Sequence, residues 1–162
     1  MTPILGLDLG TKTGWAIRTA AGRVTSGHHE LTLRRGESPG MRFLRFRAFL
    51  RELLELGELG PGSVVAYEQA HHRGGHATSL AVGLVTVALE EAAARELETA
   101  PVHTGTLKKF ATGSGAAGKP AMIEAAQELF GLPDLTSDDE ADALHVLAWA
   151  ADELGERVIP PG

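Results

Sequence analysis

The stretch "TSDDEADALHVLAWA", from Thr136 to Ala150, carries four carboxylates at one end, and two further acids stand in apolar surroundings, Asp8 in "ILGLDLG" and Glu68 in "VVAYEQ". Carboxylates gathered in one place repel each other unless a cation neutralises them. An all-oxygen donor set selects hard ions, Mg2+ or Mn2+, over zinc. Such a cluster suits two-metal phosphoryl chemistry, in which one ion activates water and the other stabilises the leaving oxygen. The question is which of these acids the chain can bring together.

Part of the acidic run is accounted for by capping. Ser137 with Glu140 three residues on fits a capping box, and acids near a helix N-terminus complement its dipole. Capping leaves Asp139 and Asp142 unexplained. At about 100° per residue, these two share a stripe with Ala143, Val146 and Ala150, residues that seek a neighbour. Asp138, His145 and Asp152 form the one polar stripe, so Asp138 is expected to face water. Carboxylates aimed at a core are paired or bound to metal.

The elements that must position these groups alternate. "PILGLDL" is apolar on both faces, as a doubly covered central strand should be. "GTKTG" turns it, and "WAIRTA" and "GRVTSGHHEL" continue as antiparallel strands. A helix is expected from Pro39 to Leu56, with Phe43, Phe46, Leu50, Leu53 and Leu54 on one face. "SVVAYEQ" is a fourth strand, "HHRGGH" a loop and "ATSLAVGLVTVALEEAAAREL" a long helix. "TAPVH" is a short fifth strand, followed by "TGTLKKFATG", and helices near Ala121–Phe130 and Asp138–Leu154 complete the chain. This is an α/β pattern around one mixed five-stranded sheet. Asp8 ends strand one on the side of Ile4 and Gly6, and Glu68 ends strand four on the side of Val64 and Ala66. If those strands are neighbours, Asp8, Glu68, Asp139 and Asp142 converge at one edge of the sheet.

Composition bounds the possibilities. A chain of 162 residues, 43% hydrophobic, is expected to form one domain over residues 1–162 with a sizeable core. There are no cysteines, which excludes disulfides and thiolate metal sites and fits a reducing, cytoplasmic setting. The opening residues carry no basic segment and too short an apolar run for a signal peptide or a membrane span. The net charge of −6 disfavours nucleic acid only as a total. Arginines crowd positions 34–51, and Lys108, Lys109 and Lys119 mark a second basic region, and local patches decide whether a phosphate backbone docks.

"ILGLDLGTKTGWAI", "VVAYEQ", "LKKFATGSGAAGKPAMIEAA" and "DDEADALHVLAWA", in that order and spacing, resemble the RuvC-type Holliday junction resolvases over nearly the whole chain. The resemblance implies a ribonuclease H-like fold, a homodimer, four-way DNA junctions as substrate, and Mg2+ or Mn2+, two ions per active site, as cofactor. By motif, Asp8 and Glu68 match the family's strand-end metal ligands, and Asp139 and Asp142 match its final pair, the same two that helical periodicity selects. Lys119 matches a basic catalytic residue beside the active-site phosphate, and either Lys108 or Lys109 matches another phosphate contact.

The chain departs from the family pattern after Glu68. Where many relatives carry an aromatic wedge, it reads "AHHRGGHATS". His71 or His72 can stack on a base in its place, and Arg73 can bind phosphate. The long helix from about His76 to Leu97 is apolar nearly all round, which a two-fold contact between copies would cover. Two other classes remain. An ATP-using enzyme of the actin and sugar-kinase group shares a "DLGTKTG"-like hairpin but needs far more chain. A non-catalytic junction binder gains nothing from carboxylates that repel phosphate. A ribonuclease H-like nuclease acting on other branched DNA or on RNA–DNA hybrids is the closest competitor.

Overall fold

The computed structural model describes residues 1–69 and 75–159. His71, His72 and Arg73 lie outside the described residues. The elements run β1 (Ile4–Asp8), β2 (Lys12–Arg18), β3 (Val24–Glu30), α1 (Gly40–Leu56), β4 (Val64–Gln69), α2 (His76–Ala94), β5 (Glu98–His103), α3 (Thr104–Thr112), α4 (Lys119–Phe130) and α5 (Asp138–Glu153). The five strands form one mixed sheet in the order β3-β2-β1-β4-β5. β1, β2 and β3 pair antiparallel, whereas β4 and β5 run parallel to β1.

The alternation of side chains along β1 and β4 builds two cores. Ile4, Val64 and Ala66 face α5, joined by Leu144, Val146 and Leu147 of that helix and by Leu107 and Met122 of α3 and α4. Leu5, Leu7, Val65 and Tyr67 face the other way, onto Phe46 and Leu50 of α1 and Leu84 and Val87 of α2. Ile4, Leu5 and Leu7 have no exposed surface, as expected of a central strand covered on both sides.

Three details differ from the sequence reading. β2 begins at Lys12 rather than after "GTKTG", so the turn is confined to residues 9–11. Residues 104–112 form α3, a helix that the sequence pattern does not reveal; it closes at Gly113, which takes a left-handed conformation (φ 85°) open to glycine at little cost. The stripe of Asp138, His145 and Asp152 does not face water throughout. Asp152 is exposed, but His145 is buried, its Nε2 lying 2.8 Å from the Met122 carbonyl of α4, and Asp138 is half-buried. Single-helix periodicity cannot see that α4 packs over this side of α5.

Candidate metal centre

Parallel pairing sets Asp8 and Glu68 side by side. Leu7 is in register with Tyr67, so the next residues, Asp8 at the end of β1 and Glu68 one short of the end of β4, stand at the same level with both side chains on the α5 face. α5 approaches that face closely because the sheet carries glycine there. A Cβ on Gly6 would lie 2.7 Å from the Ala143 carbonyl oxygen and 2.8 Å from the Leu147 nitrogen. A Cβ on Gly14, the β2 residue paired with Asp8, would collide with the Asp139 carbonyl. Two glycines therefore let the first turns of α5 sit on the sheet beside Asp8.

The result is a carboxylate cluster. Ligand oxygens of Asp8, Glu68 and Asp142 all lie within 4.8 Å of one another. Asp139 stands at its margin and joins it through a hydrogen bond shared with Asp8. Burial, and then the charges of Glu68, Asp142 and Asp139, hold the Asp8 carboxyl well above the usual range. Asp142 is pushed up to about 7, again first by burial and then by Glu68, Asp138 and Asp139. Asp139 is raised by burial and by Asp138. Lys108 pulls Asp142 back, and Lys12 and Lys119 pull Asp139 back, without reversing either shift. A set of buried like charges in hard oxygen donors is the arrangement a divalent cation of the Mg2+ or Mn2+ type would relieve. A cavity of about 260 Å3 opens onto the cluster, with Asp8, Glu68 and Asp142 on one side and Ala81, Val82 and Val85 of α2 on the other.

The remaining acids of the opening motif have other work. Ser137 caps α5, accepting from the Glu140 amide at 3.2 Å. The Glu140 carboxylate completes no capping box; it accepts from the Ser26 hydroxyl of β3 at 2.7 Å. Asp138 lies 3.3 Å from the exposed Lys119 ammonium. Lys109 is exposed, whereas Lys108 is half-buried and acts on Asp142. The arginine-rich stretch of α1 is largely consumed within the fold. Arg47 and Arg51 bind the buried Glu91 of α2, Arg45 binds Glu37, and Arg42 donates to the Leu31 carbonyl.

Two residues at the site escaped the sequence reading. Lys12 opens β2 and its charge reaches Asp139. Thr104 opens α3, and its hydroxyl donates to Glu68 Oε1 at 2.8 Å. Lys12 lay hidden in what read as a turn, and Thr104 in a segment given no element.

No family model matches the chain, and no curated protein matches it in sequence. Solved structures do match. T. thermophilus RuvC in complex with a Holliday junction substrate superposes with a TM-score of 0.77, over 97% of this chain and 99% of that one, at 19% identity. A second Thermus thermophilus RuvC structure gives 0.74 over 96% and 98%, also at 19% identity. The fold is RuvC-type. At this identity the likeness reaches the fold.

Proposed function

We propose that the chain, as one nuclease domain over residues 1–162, is a structure-selective endodeoxyribonuclease that resolves four-way DNA junctions by paired phosphodiester hydrolysis. The convergence of Asp8, Glu68 and Asp142 within 4.8 Å carries this reading. A chain that only bound DNA would be penalised by an unneutralised carboxylate cluster facing phosphate. Asp8, Glu68, Asp139 and Asp142 would hold Mg2+ or Mn2+, two ions per site. Such ions supply activation of water and charge stabilisation at the leaving oxygen when bound.

The chain's own residues account for docking. Lys119 and Lys108 flank the acids and would bind the phosphates on either side of the scissile bond; of the two adjacent lysines, Lys108 is favoured because its charge reaches Asp142. In the loop after Glu68, Arg73 would bind phosphate, and His71 or His72 would stack on a base at the junction centre. Val82 and Leu89 leave 49% and 39% of their surface exposed on α2, which supports a homodimer covering that helix and setting two active sites apart for paired cuts. No helix among the described residues is long and apolar enough to cross a membrane, and a reducing cytoplasm suits a chain without cysteine.

The test is a substrate panel with Mg2+: intact four-way junctions, three-way forks, flaps and RNA–DNA hybrids. Symmetrical paired nicks confined to four-way junctions are expected. Faster hydrolysis of the RNA strand of a hybrid would overturn the assignment while leaving the metal chemistry standing.

A further inference from the structure

Glu68 faces an electrostatic difficulty that its strand position does not resolve. Its carboxylate sits within 4.8 Å of Asp8 and Asp142, and like charges at that range drive a flexible glutamate away from the cluster. It is the penultimate residue of β4, paired with β5 but one residue past the last pair with β1, so a strand flanks it on one side only. Among the described residues, Thr104 donates a hydrogen bond to it. β5 runs parallel to β4 with Val102 in register with Glu68 and His103 with Gln69. The chain enters α3 at the next residue, with His103 still extended (φ −73°, ψ 146°). This junction sets the Thr104 hydroxyl against Glu68 Oε1 at 2.8 Å.

We infer that Thr104 is a positioning residue of the metal centre: its hydroxyl fixes the Glu68 carboxylate in the ligand-ready orientation. The inference rests on the metal-centre reading above and extends it to a group that binds neither metal nor DNA. A hydroxyl suits the task, since it donates to Oε1 without adding charge and leaves Oε2 free to ligate. Partners of this kind, which orient a ligating carboxylate, typically change metal affinity by about 10- to 100-fold when removed. Position also matters. Lys108 lies one helical turn beyond Thr104, on the same side of α3. The contact to Glu68 therefore also anchors the helix that presents Lys108 toward Asp142.

The experiment is calorimetric titration of Mn2+ into DNA-free protein for wild type, Thr104→Val, Thr104→Ala and Thr104→Ser, with thermal melts alongside. Thr104→Val keeps the shape and removes the donor; Thr104→Ala removes the donor if the valine variant fails to fold. Both should bind Mn2+ about tenfold or more weakly, and Thr104→Ser should recover most of the affinity. In cleavage assays the Mg2+ concentration for half-maximal rate should rise in the same proportion, with the saturated rate largely restored. A wild type that binds Mn2+ beside donorless variants of equal affinity overturns the role of Thr104 alone. So does a serine variant as weak as valine. A wild type that binds no Mn2+ overturns the metal centre itself.

Discussion

Glu91 and Asp142 are carboxylates on helices that cover opposite faces of the same sheet, and their surroundings drive them apart. Burial would raise Glu91, but hydrogen bonds from Arg51, Arg95 and Arg47 outweigh it and hold the carboxyl at about 2. Arg95 reaches it at 2.5 Å and Arg47 at 2.6 Å. Asp142 meets burial plus three further carboxylates and rises to about 7. The first cluster carries its own counter-charge and ties α1 to α2. Among the described residues the second has none of comparable strength, so it is the one that favours an external cation. Buried acid is thus not a signal of function by itself; buried acid left without its own cations is.

The largest effect expected from breaking this contrast lies at the second cluster. Asp8→Asn, Glu68→Gln or Asp142→Asn should slow junction cleavage on the order of a thousandfold or more, because a lost metal ligand withdraws several kcal/mol of transition-state stabilisation. Binding of junctions in the presence of chelator should survive. Single-turnover cleavage of a labelled junction and gel-shift titration separate the two. Asp138→Asn is the control within the same helix turn: it contacts Lys119 rather than the cluster, and its loss should stay below about tenfold. Equal losses for Asp138→Asn and Asp142→Asn would bring Asp138 into the metal site.

Much of this second cluster is legible in the sequence, and the reasons are local. Asp8 and Glu68 stand at or next to the ends of strands whose two-residue period sets their side, and the spacing of Asp139 and Asp142 sets theirs. What is not legible depends on partners distant in the chain. The arginines of α1 read as a basic region open either to phosphate or to solvent, because nothing in their own segment reveals that Glu91, 40 residues or more away, receives Arg47 and Arg51. His145 reads as part of a solvated stripe because its neighbour, the Met122 carbonyl, belongs to another helix. α3 escapes because Thr104, Gly105 and Thr106 are weak helix formers that a docking site stabilises. Gly14 reads as a turn residue, whereas its place is beneath the Asp139 backbone.

Gly14→Ala tests that last point. The added methyl would push the first turn of α5 off β2, at a cost of about 2–3 kcal/mol by overpacking. Urea denaturation measures the cost. Mn2+ affinity should fall as well, since Asp139 and Asp142 ride on that turn. Glu91→Gln should come next, destabilising the chain by about 2 kcal/mol, less than a fully enclosed ion pair because its arginines reach solvent. For a chain of this size that lowers the melting temperature by about 4–8 °C, while cleavage per folded molecule stays intact. Loss of metal affinity in Glu91→Gln would show that the two clusters are not independent.

The smallest effect distinguishes the clusters by the sign of their pH response. Asp142 binds its proton more tightly folded than unfolded, so its contribution to stability is present below the unfolded carboxylate range near 4 and disappears as pH rises through about 7. Glu91 behaves oppositely: its contribution is present above its unfolded value near 4.5 and disappears as pH falls toward about 2. His145, lowered by burial against the hydrogen bond to Met122, adds a loss of stability as pH falls through and below about 6.5 in every variant. Differences between variants cancel that background. Metal-free Asp142→Asn should therefore be more stable than wild type at pH 8, by about 1 kcal/mol after discounting for solvent screening, and the gap should close by pH 5. Saturating Mg2+ should reverse the ranking at pH 8, because the ion stabilises only a site that keeps its ligands. Thermal melts of both proteins at the two pH values, with Mg2+ and with chelator, read all four combinations. A metal-free gap that widens toward pH 5 would mean that Asp142 is ionised and paired, as Glu91 is, and the contrast between the clusters would fail.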